Sequence, residues 1–388
     1  MKISKILFVS KSSVVLVNHV TGPLFIDIAN EYANSHDSVV LITGAIEPTY
    51  AELDSSITVI RKTRYKRKLS YFRILTWLSF YLNVYVHLLL KGKSYSKALL
   101  VTNPPIMPFI GARLLPTKKI EFDILVYDIY PDALANFGYI RTTSFLYKAW
   151  DKMNRVSYEN AERVITISSV MKEVISRNLQ EEKIEIIYPW VDTGFIKPMN
   201  KEDNWFVKEY RLEEKTVLMY SGNMGATHDL LTPLKVSKTI QESHPNYHFL
   251  YIGDGVQKKG LMKFVNQNQL KNVTFLPFQK PETLPFSFAS ADFGIVSLGI
   301  GAEGLSVPSK TFYFLSAGVS IMAITRKESE IDRLVSNHNC GVSVEAENME
   351  EMIRVLTTTS ALDISTYKKN SRKLSAEFTV KNAKEFLS

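Results

Sequence analysis

Ala291-Asp-Phe-Gly-Ile-Val-Ser-Leu-Gly-Ile-Gly-Ala-Glu-Gly-Leu-Ser-Val-Pro-Ser-Lys-Thr311 passes from a short apolar run through a glycine-rich loop into a helix start. Phe293 to Leu298 reads as a buried strand, and the loop that follows carries Glu303. Pro308-Ser-Lys-Thr311 then opens a helix expected to continue through Gly318. Proline in a first turn and hydroxyls at the mouth mark an N-terminus with free N–H groups. Strand, glycine loop and helix N-terminus in that order make half of a βαβ unit and an anion-binding end. Lys310 opposes the helix dipole unless something negative sits there, which a diphosphate would supply; a solvated surface lysine is the plainer alternative. Glu303 suits sugar or ribose hydroxyls, being an acceptor of hydrogen bonds.

The same unit repeats in both directions. Towards the N-terminus, Ile6 to Ser10, Val39 to Thr43, Ile57 to Ile60, Leu99 to Thr102, Ile124 to Tyr127, Val164 to Ile167 and Glu185 to Ile187 read as short buried strands. Amphipathic helical stretches, among them Pro23 to Asn34 and Ser168 to Leu179, alternate with them as in a parallel sheet. Tyr188-Pro-Trp-Val-Asp-Thr-Gly-Phe-Ile-Lys-Pro198 breaks the pattern and reads as a linker. It then restarts at Val217 to Ser221, His248 to Ile252, Val273 to Leu276, Phe293 to Leu298 and Ser320 to Ile324. Two α/β domains with a cleft between them follow, with ligands expected at the carboxyl ends of the strands.

Length and composition agree. The 388 residues exceed one ordinary domain, and 45% hydrophobic with 22% charged residues is the balance of a folded chain. The lone Cys340 excludes an intrachain disulfide and, with no Cys/His cluster at ligand spacing, argues against structural zinc. A reducing, cytosolic setting is expected. The basic N-terminus is interrupted by Lys11 before a signal-peptide core develops.

The net charge of +8 is concentrated: Arg61 to Lys97 holds ten Lys/Arg and no acid, which leaves 37 basic against 39 acidic residues elsewhere. Within that segment Ile74 to Leu90 is uncharged and apolar apart from Thr76, Ser79, Asn83 and His87, which form one stripe at helical spacing. Seventeen residues at ~1.5 Å each reach about 25 Å, short of a ~30 Å hydrocarbon core. Spanning would also sever what reads as one sheet. A helix in the membrane interface, or half-buried in the first domain, is therefore expected, with the Lys/Arg excess facing an anionic leaflet. A core helix beside solvated lysines is the alternative. Nucleic acid fits less well, because no aromatic-interleaved basic groove accompanies the charge.

Other turns complete the candidate site. Tyr220-Ser-Gly-Asn-Met-Gly225 follows a strand and precedes a helix near His228-Asp229, so Gly222, Asn223 and Gly225 can bring backbone N–H groups to a phosphate. A plain glycine turn is the alternative. Ile252-Gly-Asp-Gly255 reads first as a tight turn and second as a cleft wall, with Gly253 and Asp254 as candidates. Phe278, just past a strand end, is positioned for a nucleobase. Asp128 ends a first-domain strand and is the candidate to orient or deprotonate an acceptor, with Asp132 second. No Asp-x-Asp pair is present, so no metal and no cofactor is expected.

Asp128-Ile-Tyr-Pro-Asp132, Ala161 to Ser168, Ile187-Tyr-Pro-Trp-Val-Asp192, Ser221 to Gly225, Ile252 to Gly255, Ala291-Asp292 and Glu303-Gly-Leu-Ser-Val-Pro-Ser-Lys310 together resemble retaining glycosyltransferases of family 4. The likeness is to the branch that builds O-antigen, colanic acid and capsule polysaccharides. It implies the GT-B fold, two Rossmann-like βαβ domains facing each other across a cleft. An acceptor domain would occupy 1–192 and a nucleotide-sugar domain 193–370, with a helix at 371–388 crossing back. It further implies a UDP-sugar donor, a lipid-linked saccharide acceptor and a peripheral place at the cytoplasmic face of the plasma membrane. Glu303 matches the first glutamate of the family's paired-glutamate motif, and Thr311 stands where the second is usual. Tyr127 replaces a common histidine, and Ala226-Thr-His228 replaces common basic residues. Glu303 and Lys310 are expected to hold sugar and diphosphate, with Pro308, Ser309 and Thr311 at the helix mouth. A GT-B nucleotide-sugar epimerase and a non-catalytic partner in polysaccharide assembly are the other readings.

Overall fold

The computed structural model describes residues 13–47, 49, 51–63, 70–177, 179–299, 301, 304 and 307–387. Its first half contains β1 Ser13–Val17, β2 Val20–Thr21, β3 Ser38–Thr43, β4 Ala45–Ile46, β5 Thr58–Arg61, β6 Lys97–Val101, β7 Glu121–Val126, β8 Val164–Thr166 and β9 Ile184–Ile186. Seven of these form one parallel sheet in the order β5-β3-β1-β6-β7-β8-β9, and β2 pairs with β4 alone. Val14 to Val17 in the central β1 are fully buried, as expected of a strand covered by helices on both faces.

The second half holds β10 Thr216–Asn223, β11 Tyr247–Asp254, β12 Val273–Leu276, β13 Phe293–Ser297, β14 Ser320–Ile324 and β15 Gly341–Val344. They form a parallel sheet in the order β12-β11-β10-β13-β14-β15. The α/β architecture of two Rossmann-like domains read from the sequence is the one observed. In each sheet the strand order reverses once, between β1 and β6 and between β10 and β13, and a crevice opens at such a point beyond the strand ends.

One local expectation falls outside the described residues and two others change. The strand expected at Ile6 to Ser10 lies outside the described residues, and the strand in the middle of the first sheet is the unexpected Ser13–Val17. The helix expected over Ser168 to Leu179 is shorter, Ser169–Ile175, and begins where the Ser168 hydroxyl accepts the Met171 N–H. β15 was not anticipated, because Gly341-Val-Ser-Val344 holds only two apolar side chains.

Contacts between the halves fix the cleft. Glu330, at the start of the Glu330–His338 helix, accepts hydrogen bonds from Ser169 Oγ at 2.8 Å, Val170 N at 3.1 Å and Tyr188 Oη at 2.9 Å. It thereby caps a first-domain helix from the second domain. Beside it Arg333 pairs with Glu173 at 2.7 Å. The Ala361–Leu374 helix packs on the second sheet, while the final turns reach the first domain. There Tyr32 Oη donates to the Phe386 carbonyl at 2.9 Å, as does Arg163, which also pairs with the buried Asp123 at 2.8 Å.

Candidate active site

In the second domain β10 ends in Ser221-Gly222-Asn223. Gly222 has φ +136°, which disfavours any other residue, and a Cβ there would lie 3.3 Å from Lys310 Cε. The lysine chain therefore lies over the glycine, and its Nζ sits 3.7 Å from the centre of the Tyr220 ring. His228 meets the same ring edge-on at 5.9 Å. Its Nδ1 lies 2.7 Å from the Ser297 carbonyl at the end of β13. A carbonyl only accepts, so Nδ1 carries a proton and Nε2 is the nitrogen left for the cleft. Gln257 pins the loop by donating to the His228 carbonyl at 2.8 Å.

Both bases are held towards neutrality. Burial brings the Lys310 ammonium down to about 7, although the Tyr220 face favours the charged form. Burial first, and the Lys310 charge second, lower His228 to about 4. With Ser221, Gly222, Asn223, Pro308 and Ser309 they line a cavity of about 390 Å³. Two bases short of their usual protonation gain stability there when an anion enters.

In the first domain a second cavity, of about 520 Å³, lies at the switch between β1 and β6. Asn18 follows β1, Asn103 follows β6 and Asp128 follows β7, so three polar side chains arrive from adjacent strand ends. Glu47 faces them from beyond β4. The Asp128 side chain is accessible from the cleft, but the close walls deprive it of bulk water and raise its carboxyl to about 6. Ser309 and Tyr313 line both cavities, which makes them two ends of one cleft.

Lys310, Gly222, Asn223, Pro308 and Ser309 thus meet in one cavity and Asp128 faces them in the adjoining one. Other expected residues stand elsewhere. Thr311 is fully buried, and its N–H is spent on the Pro308 carbonyl at 3.1 Å, so neither its side chain nor its amide is offered to a ligand. The helix is also short, Lys310–Ser316. Gly225 turns its carbonyl to Gln257, and Gly253 serves strand packing, since a Cβ there would fall 2.0 Å from the Gly222 carbonyl oxygen. Asp254 accepts its neighbour Gly255 N–H at 2.9 Å, and Phe278 is half exposed; neither lines the two cavities. Asp132 accepts from Tyr147 Oη at 2.9 Å in a separate cavity of about 230 Å³. Glu303 lies outside the described residues. On either side of it, the Gly301 carbonyl accepts Asn136 Nδ2 at 3.1 Å and Gly304 packs near Val170, both first-domain residues.

Sequence reasoning gave no role to His228, Asn18, Asn103, Glu47 or Tyr313. Asn18 becomes visible once β1 is placed at Ser13–Val17, because it is then the first residue beyond a central strand.

No protein-family profile matches the chain. The probable glycosyltransferase WbjE of Pseudomonas aeruginosa is 23% identical over 265 residues, 68% of this chain and 66% of that protein. WcaI of Escherichia coli strain K12, provisionally named a colanic acid biosynthesis glycosyl transferase, is 24% identical over 203 residues, 51% of this chain and 49% of that protein. The matches thus span about two thirds and about half the length of these relatives. Solved structures cover more. Sucrose-phosphate synthase of Thermosynechococcus elongatus superposes with a TM-score of 0.74 at 13% identity, covering 97% of each chain. WaaG, a glycosyltransferase of lipopolysaccharide biosynthesis, gives 0.72 at 15% identity over 97% of this chain and 99% of its own. Anabaena HepE in complex with UDP gives 0.73 at 13% identity over 97% and 98%. The fold is GT-B.

Proposed function

We propose that this protein is a retaining glycosyltransferase of family 4. It moves a hexosyl or N-acetylhexosaminyl group from a UDP-sugar to a lipid-linked saccharide in bacterial surface polysaccharide synthesis, O-antigen or capsule. It works in the cytoplasm as a peripheral enzyme at the inner face of the plasma membrane, with segment 61–97 towards an anionic leaflet. One observation carries the reading: a cavity lined by Lys310 and His228, and a cavity lined by Asp128 and Glu47, share the wall formed by Ser309 and Tyr313. The names of WbjE, WcaI and WaaG favour the same class, and HepE was solved with UDP and with UDP-glucose.

The diphosphate lies against Gly222 and Lys310, and its charge draws a proton onto Lys310. The acceptor hydroxyl oxygen attacks the anomeric carbon on the face the diphosphate leaves. As the anomeric C–O bond breaks, its electron pair stays on the diphosphate, and the hydroxyl proton passes to a diphosphate oxygen or to Asp128. Protonated Lys310 stabilises the leaving charge, and no metal or other cofactor is assigned. Glu303 positions the donor sugar, and Asn18, Asn103 and Glu47 bind acceptor hydroxyls.

UDP release from a panel of UDP-sugars tests this. Release that needs a lipid-linked saccharide, and that Lys310→Ala lowers by orders of magnitude, is the expected result. An epimerised sugar formed without acceptor would replace the reading by the epimerase one. Absence of nucleotide binding would replace it by the non-catalytic one.

A further inference from the structure

The helix Ser70–Lys91 carries its apolar residues on the outside. Leu75, Leu78, Leu82, Val86, Leu89 and Leu90 are between 43% and 73% exposed, whereas Phe80, Val84 and Leu88, four residues apart, are fully buried against the first domain. The polar stripe that would be expected to face water is instead bonded to the fold. Ser79 Oγ meets Thr63 Oγ1 at 2.9 Å, Asn83 donates to both, and His87 Nε2 meets Tyr95 Oη at 2.7 Å. Leucines turned outward along a helix, with its polar groups turned inward, form a surface that water does not favour.

Charge indicates what covers it. The flanking residues Arg61, Lys62, Lys91 and Lys93 belong to the stretch from 61 to 97 that has ten cations and no acid. A leucine-rich face on a helix flanked in sequence by cations complements an anionic bilayer, acyl chains meeting the leucines and headgroups meeting the cations. By length and composition Ile74–Ser94 could cross a membrane. The topology opposes that, because the helix connects β5 to β6, two strands of one sheet, so both its ends lie on the same side.

We propose that this helix is an in-plane membrane anchor, seated in an anionic leaflet along its leucine face, and that it carries the acceptor end of the cleft with it. Phe80 packs on His19 with ring centres 4.5 Å apart, and Tyr81 Oη accepts the Ile106 N–H at 3.1 Å. The helix therefore braces from behind the loops after β1 and β6, which bring Asn18 and Asn103 to the cleft. The choice of a bilayer over a protein partner rests on the transferase reading with its lipid-linked acceptor.

Depth measurement tests it. Cys340 is fully buried, so Leu75→Cys, Leu82→Cys and Leu89→Cys each provide one accessible thiol for an environment-sensitive fluorophore. With phosphatidylglycerol vesicles all three labels should shift to the blue, be quenched from similar depths of roughly 5–10 Å below the headgroups, and lose the shift in high salt. Leu78→Glu with Leu82→Glu should weaken vesicle partition at least about tenfold, with melting temperature unchanged. No shift with vesicles overturns the proposal. A graded depth from Leu75 to Leu89 replaces it by a spanning helix, and a vesicle-free shift that grows with protein concentration replaces it by a second copy of the chain. UDP titration of the same labelled proteins reads the transferase proposal separately, so either can fail alone.

Discussion

The ammonium of Lys310 lies 3.7 Å from the centre of the Tyr220 ring, over a glycine that leaves it room, in a pocket that brings it down to about 7. A lysine so placed is stored near its titration point, and binding of a diphosphate moves it to the charged side. Because the ligand selects the protonated form, UDP affinity should be flat below pH 7 and fall by up to tenfold per unit above it. Titration calorimetry in two buffers of different ionisation enthalpy checks this, with net proton uptake expected at pH 8. No uptake there would leave Lys310 outside the diphosphate site.

The same depression has a stability consequence of definite sign. Between the folded value near 7 and the ordinary value of 10.5 the unfolded chain binds the extra proton, so stability from this residue rises with pH across that window. Lys310→Met removes the cost of a buried ammonium and should raise the melting temperature at pH 7 by a few degrees while lowering UDP affinity at least about tenfold. A melting temperature lowered along with the affinity would mark Lys310 as structural.

Asp128 is raised to about 6, so a reaction that uses its carboxylate should lose rate below pH 6 with a slope near one. Asp128→Asn should lower transfer by about 10²- to 10⁴-fold, leave UDP binding in place, and abolish that acid limb. The fold gains nothing from the charge, because a carboxyl raised by burial is destabilising when ionised. A retained acid limb in the Asn variant would assign it to another group.

How much of this was legible follows from what each signal depends on. The strand Ser320–Ile324 matches its apolar run because burial on both faces demands hydrophobicity along nearly its whole length. The strand expected at Ile6 to Ser10 lies outside the described residues, and Ser13–Val17 was passed over because two apolar runs stand a few residues apart and only one was read as a strand. The position of Lys310 at the helix start was legible from its place after Pro308. Thr311 was misread because neighbours on a helix point about 100° apart, and only packing shows which of the two faces the cleft. His228 depends on a carbonyl 69 residues away, which no local pattern reveals.

Glu330 caps Ser169–Ile175 across the domain boundary with two accepted hydrogen bonds, accepts a third from Tyr188 Oη, and is itself nearly buried. A hydrogen bond to a charged group contributes roughly 1.5–3 kcal/mol, and losing three together exceeds what Arg333 and Glu173 contribute at the more exposed rim. Glu330→Ala should therefore free the domains to separate. That change would appear as a larger radius of gyration in solution scattering and a weaker response to UDP, each domain keeping its own secondary structure. Arg333→Ala should do much less. Equal radii for Glu330→Ala and the parent chain would mean that the final turns, tied by Tyr32 and Arg163 to Phe386, hold the cleft without it.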